Sequence, residues 1–270
     1  MSFAETYGPW ALVTGAGQGM GAAFASDLAG RGVAVALVDR EEGLLAARAQ
    51  ELQGRGAQTR EIVVDLVRPG AADRVLEAVA DVEVGLLVSN AAMVYVGEFL
   101  DQGARAGLDQ ITVNCSVPLA LVHALLPAMV ARGRGGVVLL ASGSALRGSP
   151  LVAGYAATKA WNLVLAESLW DEVRDAGVDV MAVLPGTTRT PGLLSTHPQS
   201  SMATTNLMEP EEVVRETLDA LGTAPSLIAG QANRDSEAFM SALDRAEAVR
   251  VMGTAMRAMY PPDREPDPML

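Results

Sequence analysis

Short apolar runs of strand length alternate along the chain with longer stretches of helical spacing. The runs are Trp10–Thr14, Val33–Val38, Ile62–Val64, Val84–Val88, Val137–Ala141, Val178–Leu184 and a weaker Leu227–Ala229. Within each run nearly every position is apolar, not every second one. Strands buried on both faces read this way, as in a parallel sheet covered by helices. Between the runs, helices are expected directly after Thr14, over Glu41–Gln53 and Ala71–Val79, and as two long elements, Leu108–Val130 and Tyr155–Ala176. Such alternation requires right-handed crossovers, so the pattern predicts an α/β fold with a doubly wound parallel sheet and helices on both faces. No linker, repeat or low-complexity stretch divides residues 1–270, and one domain is expected.

Two segments depart from this rhythm. Gly186–Met208 follows a strand end and is rich in Thr, Ser, Pro and Met. A connection this long in a compact domain is usually functional, so a substrate lid is expected at about 186–208. Phe239, Met240, Met252, Met256 and Met259 recur at helical spacing, giving a helical C-terminal extension over about 231–260. It is read as packing on the core or on a subunit partner rather than as a lid. Tyr260–Leu270 carries four prolines and is expected to fray.

Composition removes several function classes. Net charge is −12, with 32 acidic and 20 basic residues and no basic cluster, which argues against nucleic acid or an anionic membrane as partner. The lone Cys115 cannot form an internal disulfide and fits a reducing, cytoplasmic setting. The N-terminal residues lack the pattern of a secretory signal, and no apolar stretch reaches the ~20 residues of a membrane helix. His123 and His197 stand in no metal-ligand spacing, so no metal site is expected; without a G-x-S-x-G elbow, a serine hydrolase is disfavoured.

The first strand runs into Thr14-Gly15-Ala16-Gly17-Gln18-Gly19-Met20-Gly21. Glycines there permit a tight turn and close approach of backbone to a pyrophosphate, while the following helix start offers free N–H groups. Asp39 follows the second strand, 18 residues after Gly21, where an acid meets the adenosine ribose hydroxyls of a dinucleotide. A carboxylate there accepts from a diol and repels a 2′-phosphate, which favours NAD over NADP. Arg40 is the counter-indication, since it could pair with that phosphate. The whole is a Rossmann-type expectation.

Tyr155 and Lys159 stand at i and i+4, on one helix face. A phenol, with its pKa near 10, is too weak a base at neutral pH, and a nearby ammonium and a cationic nicotinamide would both favour the phenolate. Ser142 lies just past the strand Val137–Ala141, where open α/β sheets bind ligands, and could hydrogen-bond a substrate oxygen. On chemistry alone, Ser144 competes with it.

Over Trp10–Gly230 these motifs, in this order, resemble the short-chain dehydrogenase/reductase family. The loop Gly15, Gly19, Gly21 is similar to its cofactor loop, with Gln18 and Met20 within it, and Asp39 to its NAD-selecting acid. Asp65 and Leu66 stand where the family contacts adenine. Ser89-Asn90-Ala91-Ala92 resembles its Asn-Asn-Ala-Gly motif, departing from it at Ser89 and Ala92. Asn114, Ser142, Tyr155 and Lys159 match its catalytic four. Pro185, Gly186, Thr188 and Thr190 belong to the segment that holds the nicotinamide amide. The resemblance implies that Asn114 lies in a helix and holds a water linking Lys159 to solvent, that Lys159 also binds the nicotinamide ribose, and that the protein is a homo-oligomer built on its long helices.

The expected activity is therefore hydride transfer between NAD and a secondary alcohol or ketone, with Tyr155 as general acid/base. Met93, Ser144 and Val152 are expected to shape the substrate pocket, and their largely apolar character favours a ring or lipid-like alcohol over a charged sugar. The alternatives are an NADPH-dependent ketoreductase and, from another class, a cofactor-binding sensor without catalysis, whose usual mark is a lost Tyr or Lys.

Overall fold

The computed structural model describes residues 1–196 and 207–261. Its seven strands are β1 (Trp10–Thr14), β2 (Ala34–Asp39), β3 (Thr59–Val63), β4 (Val84–Ser89), β5 (Gly135–Leu140), β6 (Val178–Leu184) and β7 (Ser226–Ile228). They pair in the order β3-β2-β1-β4-β5-β6-β7, all parallel. The helices are α1 (Phe3–Tyr7), α2 (Gly19–Gly30), α3 (Glu42–Gly54), α4 (Ala71–Ala78), α5 (Ala104–Ile111), α6 (Val117–Arg132), α7 (Ala153–Val173), α8 (Pro191–Thr196), α9 (Pro210–Ala220), α10 (Gln231–Ser241) and α11 (Arg245–Met259). This is the doubly wound sheet expected from the apolar runs. Some ends move because ladder pairing outlasts apolarity: Asp39 still pairs with Val63, and Thr59 with Val35.

Side-chain alternation sends the residues of the inner strands to two separate cores. Ala11 and Val13 of β1 join Val138 and Leu140 of β5 under Phe24 and Leu28 of α2, Leu45 and Leu52 of α3, and Val213 and Val214 of α9. Leu12, Val137, Leu139 and Ala141 face the other way, onto Val75 of α4, Leu121 and Met129 of α6, and Ala166 of α7. Both faces of the inner strands are therefore dry, which is why their runs read as continuous.

The expected helix at Leu108–Val130 is part of a helical run, Ala104–Arg132, of 29 residues. Contrary to the expectation from the sequence, that run is long and apolar enough by length and composition to cross a membrane. Its inward residues Val117, Leu121, Val122 and Met129 are buried against the sheet, as in the core helix of a layered α/β fold. The run is not uniform: Thr112–Ser116 forms one π-helical turn between α5 and α6. Such turns mark functional sites more often than chance, because the extra residue swings a side chain off the helical register.

At the opposite end of the sheet, α1 is closed by a capping box between Ser2 and Glu5. Tyr7 Oη donates to Asp179 Oδ2 at 2.6 Å, pinning α1 beneath the first residues of β4, β5 and β6. Gly85 makes room for it, since a Cβ there would stand 2.3 Å from the Gly8 carbonyl oxygen.

Of the expected lid, residues 186–196 and 207–208 are described; they include the helix α8 and a bridge between Thr188 and Met208. The remainder, with His197, and the tail beyond residue 261 lie outside the described residues.

Candidate functional site

From β1 the chain builds outward to β3, then returns to build β4–β7 on the other side. The reversal leaves a crevice past the carboxyl ends of β1 and β4, where open α/β sheets bind ligands. A cavity of about 620 Å³ lies there. It is bordered by Gly15, Gln18, Gly19, Met20, Asp39 and Arg40 from the first two strand ends, and by Asp65, Leu66, Asn90 and Ala91 from the next two. Ser142, Ser144, Val152, Tyr155 and Lys159 border it from the β5–α7 side, and Pro185, Gly186, Thr188 and Thr190 follow β6. Met93 also lines it. Gly21 and Asn114 do not, and act from behind its wall.

The glycines leave a bare backbone cradle. Gly15 and Gly19 have φ of +67° and +57°, a region that L side chains rarely adopt. A Cβ at Gly21 would lie 1.9 Å from the Gly15 carbonyl oxygen, so the loop closes on α2 only with glycine there. Gln18, the N-cap of α2, supplies no side-chain cap, and the uncapped first turn borders the cavity. Open N–H groups and the positive end of a helix suit a phosphate. Asn90 holds the cradle's rear: its Nδ2 donates to the carbonyls of Thr14 and Gly15 at 2.9 and 3.2 Å, tying β4 to β1.

Beside the cradle, Asp39 Oδ2 accepts from Gly17 N–H at 2.9 Å and Oδ1 from Glu41 N–H at 3.1 Å. Each oxygen keeps a lone pair for a further donor such as a ribose hydroxyl. Arg40 is half-exposed and pairs through Nε with Glu41 at 3.3 Å. Cradle, uncapped helix and diol acceptor together fit a dinucleotide.

Across the cavity, β5 ends at Leu140, and Ser142 caps the turn Gly143–Leu146. Ser142 Oγ accepts from Ser144 N–H at 3.2 Å and from Ser144 Oγ–H at 3.0 Å. Ser142 Oγ also reaches the Tyr155 phenol, and so stands between Ser144 and Tyr155.

Tyr155 and Lys159 project from the first turns of α7, with Lys159 Nζ 5.6 Å from the Tyr155 ring centroid. Lys159 is buried and donates to the Leu140 carbonyl at 2.5 Å. Burial lowers its pKa to about 8, and the nearby Cys115 opposes that only in part. Burial also raises the Tyr155 phenol above its ordinary value, against a hydrogen bond from Ser142 that favours the phenolate. Cys115 is pushed up to about 11 by burial, so it stays a thiol.

Asn114 sits in the π-helical turn, buried. Its amide is fully engaged: Oδ1 accepts from Met93 N–H at 2.7 Å, and Nδ2 donates to the Met93 carbonyl at 2.8 Å and to Thr158 Oγ1 at 2.9 Å. Thr158 in turn donates to the Tyr155 carbonyl at 2.8 Å. The Asn114 carbonyl accepts from Asn162 Nδ2 at 2.9 Å. Asn114 thereby fastens the loop after β4, which carries Met93, to the helix carrying Tyr155.

The sequence reading missed a wall of this cavity. Met252, Met256 and Met259 of α11, with Tyr260, line it. Their i, i+4, i+7 spacing is visible in the sequence, but it defines a face without saying what the face meets.

The sequence matches the short chain dehydrogenase family over residues 9–200. It is 33% identical over 262 residues to a 7beta-hydroxysteroid dehydrogenase of Collinsella aerofaciens, covering 95% of this chain and 100% of that protein. A solved 7beta-hydroxysteroid dehydrogenase structure superposes with a TM-score of 0.89 at 33% identity, covering 93% of this chain and 99% of the other. A short-chain dehydrogenase from Sphingobium yanoikuyae, solved with NADPH, gives 0.75 at 30% identity over 88% and 97%.

Proposed function

This chain belongs to the short chain dehydrogenase family and is an oxidoreductase, and from that premise we propose that it exchanges a hydride between NAD and a fused-ring, hydroxysteroid-like secondary alcohol or ketone. The observation that carries the reading is the convergence on one cavity of a dinucleotide cradle, the Ser142–Tyr155–Lys159 cluster and an apolar wall of Met93, Val152, Met252, Met256 and Met259. Such a wall suits a rigid apolar ring system better than a sugar. Relatives named as 7beta-hydroxysteroid dehydrogenases support the substrate class.

When bound, an oxidised nicotinamide supplies the hydride acceptor and a positive charge near the phenol. The proton is the task of the chain itself. In oxidation, Tyr155 Oη takes the proton from the substrate hydroxyl; in reduction it returns it. Ser142, whose hydroxyl donates to Tyr155 in the ligand-free protein, turns its O–H to the substrate oxygen and orients it towards Tyr155. Lys159, an ammonium at pH 7 with its pKa near 8, favours the phenolate. Asn114, through Thr158, sets the position of the Tyr155 backbone. The direct test is a panel of steroid and smaller secondary alcohols, with NADH followed by absorbance. Turnover of a fused-ring alcohol is expected, and failure with every secondary alcohol and ketone sinks the proposal.

For the cofactor, Asp39 supports NAD because it offers acceptors to a diol and negative charge to a 2′-phosphate. Asp39→Ser is expected to lower the ratio of kcat/KM for NAD over NADP by about ten- to a hundredfold. The second reading, an NADPH enzyme, draws on Arg40 at the cavity rim and on the relative solved with NADPH. A wild-type preference for NADPH would establish it.

Assembly as a homo-oligomer is supported by the outer helix faces. Leu108, Ile111, Leu119 and Val164 are exposed on α5, α6 and α7, an apolar surface that a second copy would cover. Light scattering at micromolar concentration is expected to give at least twice the chain mass, and a monomer would refute the assignment.

A further inference from the structure

Arg147 is a buried charge that the chemistry above leaves unused. It follows the turn Gly143–Leu146, between Ser142 and Tyr155 in the chain, and 6% of its side chain is exposed. Its Nη2 donates to both carboxylate oxygens of Glu237 at 2.5 and 2.6 Å. Glu237 lies on α10, in the C-terminal extension, and also accepts from Ser241 Oγ at 2.5 Å.

The same loop meets α11. Arg245 Nη1 donates to the Leu146 carbonyl at 3.0 Å. Gly148 faces Val249, to which an added Cβ would come within 3.5 Å. Pro150 packs on Gly253, where a Cβ would stand 3.3 Å from the proline ring. Met252, Met256 and Met259 project from this helix into the cavity. One short loop thus carries Ser142 at its start and leads into Tyr155 at its end, and between them it grips the helix that forms the apolar wall.

We propose that the Arg147–Glu237 pair is a latch that positions α10 and α11 on this loop and so sets how tightly a bulky substrate is held; both are positioning residues for specificity. The inference rests on the fused-ring substrate reading and extends it. The glycine and proline contacts are non-directional, and the Arg245–Leu146 hydrogen bond is solvent-exposed, so these contacts hold the helix only weakly. A two-oxygen contact with a buried guanidinium fixes the register of α10, because moving away strands the charge. The latch touches neither the cradle nor the proton-transfer groups, so its effect falls on substrate binding.

The experiment compares wild type with Glu237→Gln, using a fused-ring secondary alcohol, 2-propanol and NAD binding. KM for the fused-ring alcohol is expected to rise about tenfold with kcat within about twofold, while 2-propanol turnover and NAD affinity are unchanged. Glu237→Asp keeps the pair and is expected to recover most of the KM. If Glu237→Gln does not fold, Arg147→Leu/Glu237→Leu buries no charge and is expected to show the same KM rise, since apolar contact does not fix the register. Equal losses on both alcohols, or weakened NAD binding, overturn the role in specificity. An independent readout needs no substrate: amide exchange across 245–259 in the ligand-free protein is expected to quicken about tenfold in Glu237→Gln. Unchanged exchange overturns the latch even if the enzyme is a hydroxysteroid dehydrogenase. Quickened exchange supports the latch even if wild type turns over no steroid and the substrate reading is what falls.

Discussion

Tyr155→Phe is expected to fold, to bind NAD as the parent does, and to lose about a hundred- to ten-thousand-fold in turnover. The ring stays in its place at the start of α7, so packing is kept; only the transferable proton goes. In the ligand-free protein burial holds the phenol above its ordinary pKa, and the hydrogen bond from Ser142 counters only part of that. Alcohol oxidation needs the phenolate, so in the parent it is expected to rise with pH through one apparent ionisation. Ketone reduction needs the phenol and is expected to fall through the same ionisation. Neither titration is expected in the residual activity of Tyr155→Phe. The readouts are stopped-flow or steady-state rates across pH for both enzymes. Near-normal turnover in the variant would overturn the assignment and return attention to Ser144.

Lys159→Met is expected to lower turnover by a similar factor and, at the same time, to make the ligand-free protein more stable. Burial holds the Lys159 ammonium at a pKa of about 8 against an ordinary 10.5. The unfolded chain therefore binds more protons between these values, and parent stability rises as pH climbs through that window. Below pH 8 the full penalty is present, roughly 3 kcal/mol at 1.36 kcal/mol per pH unit. Losing the hydrogen bond to the Leu140 carbonyl offsets about 1 kcal/mol of it. A net gain of about 2 kcal/mol is expected at pH 7, shrinking as pH passes 8 towards 10.5. Thermal melts at pH 7 and pH 10 read this directly; a variant that melts lower than the parent at pH 7 would show that Lys159 is not a stored strain but a prop.

Much of this frame is local and was legible in the sequence. β1 ends where the apolar run Trp10–Thr14 meets glycine, because an apolar strand and a Cβ-free turn are both properties of neighbouring residues. Asp39 was readable for the same reason, although the structure counts it inside β2. Tyr155 and Lys159 were readable as one helix turn. What escaped was non-local. Nothing around Arg147 announces a partner 90 residues later at Glu237. The methionines of α11 gave a face by their spacing, but its neighbour depends on how the chain returns over the sheet. The π-helical turn at Asn114 was also hidden, since one extra residue in a helix leaves the hydrophobic period almost intact.

The pin between Tyr7 and Asp179 bears on how this enzyme is best handled. It fastens α1 beneath the entering ends of β4, β5 and β6, on the side of the sheet away from the cavity. The other end of the described chain leaves from Tyr260, which lines that cavity. An affinity tag, a fluorescent fusion or a covalent tether to a solid support therefore belongs on the amino-terminal side, where it hangs below the sheet and leaves the substrate mouth clear. Cargo inserted directly behind Tyr260 would begin at a residue that lines the cavity.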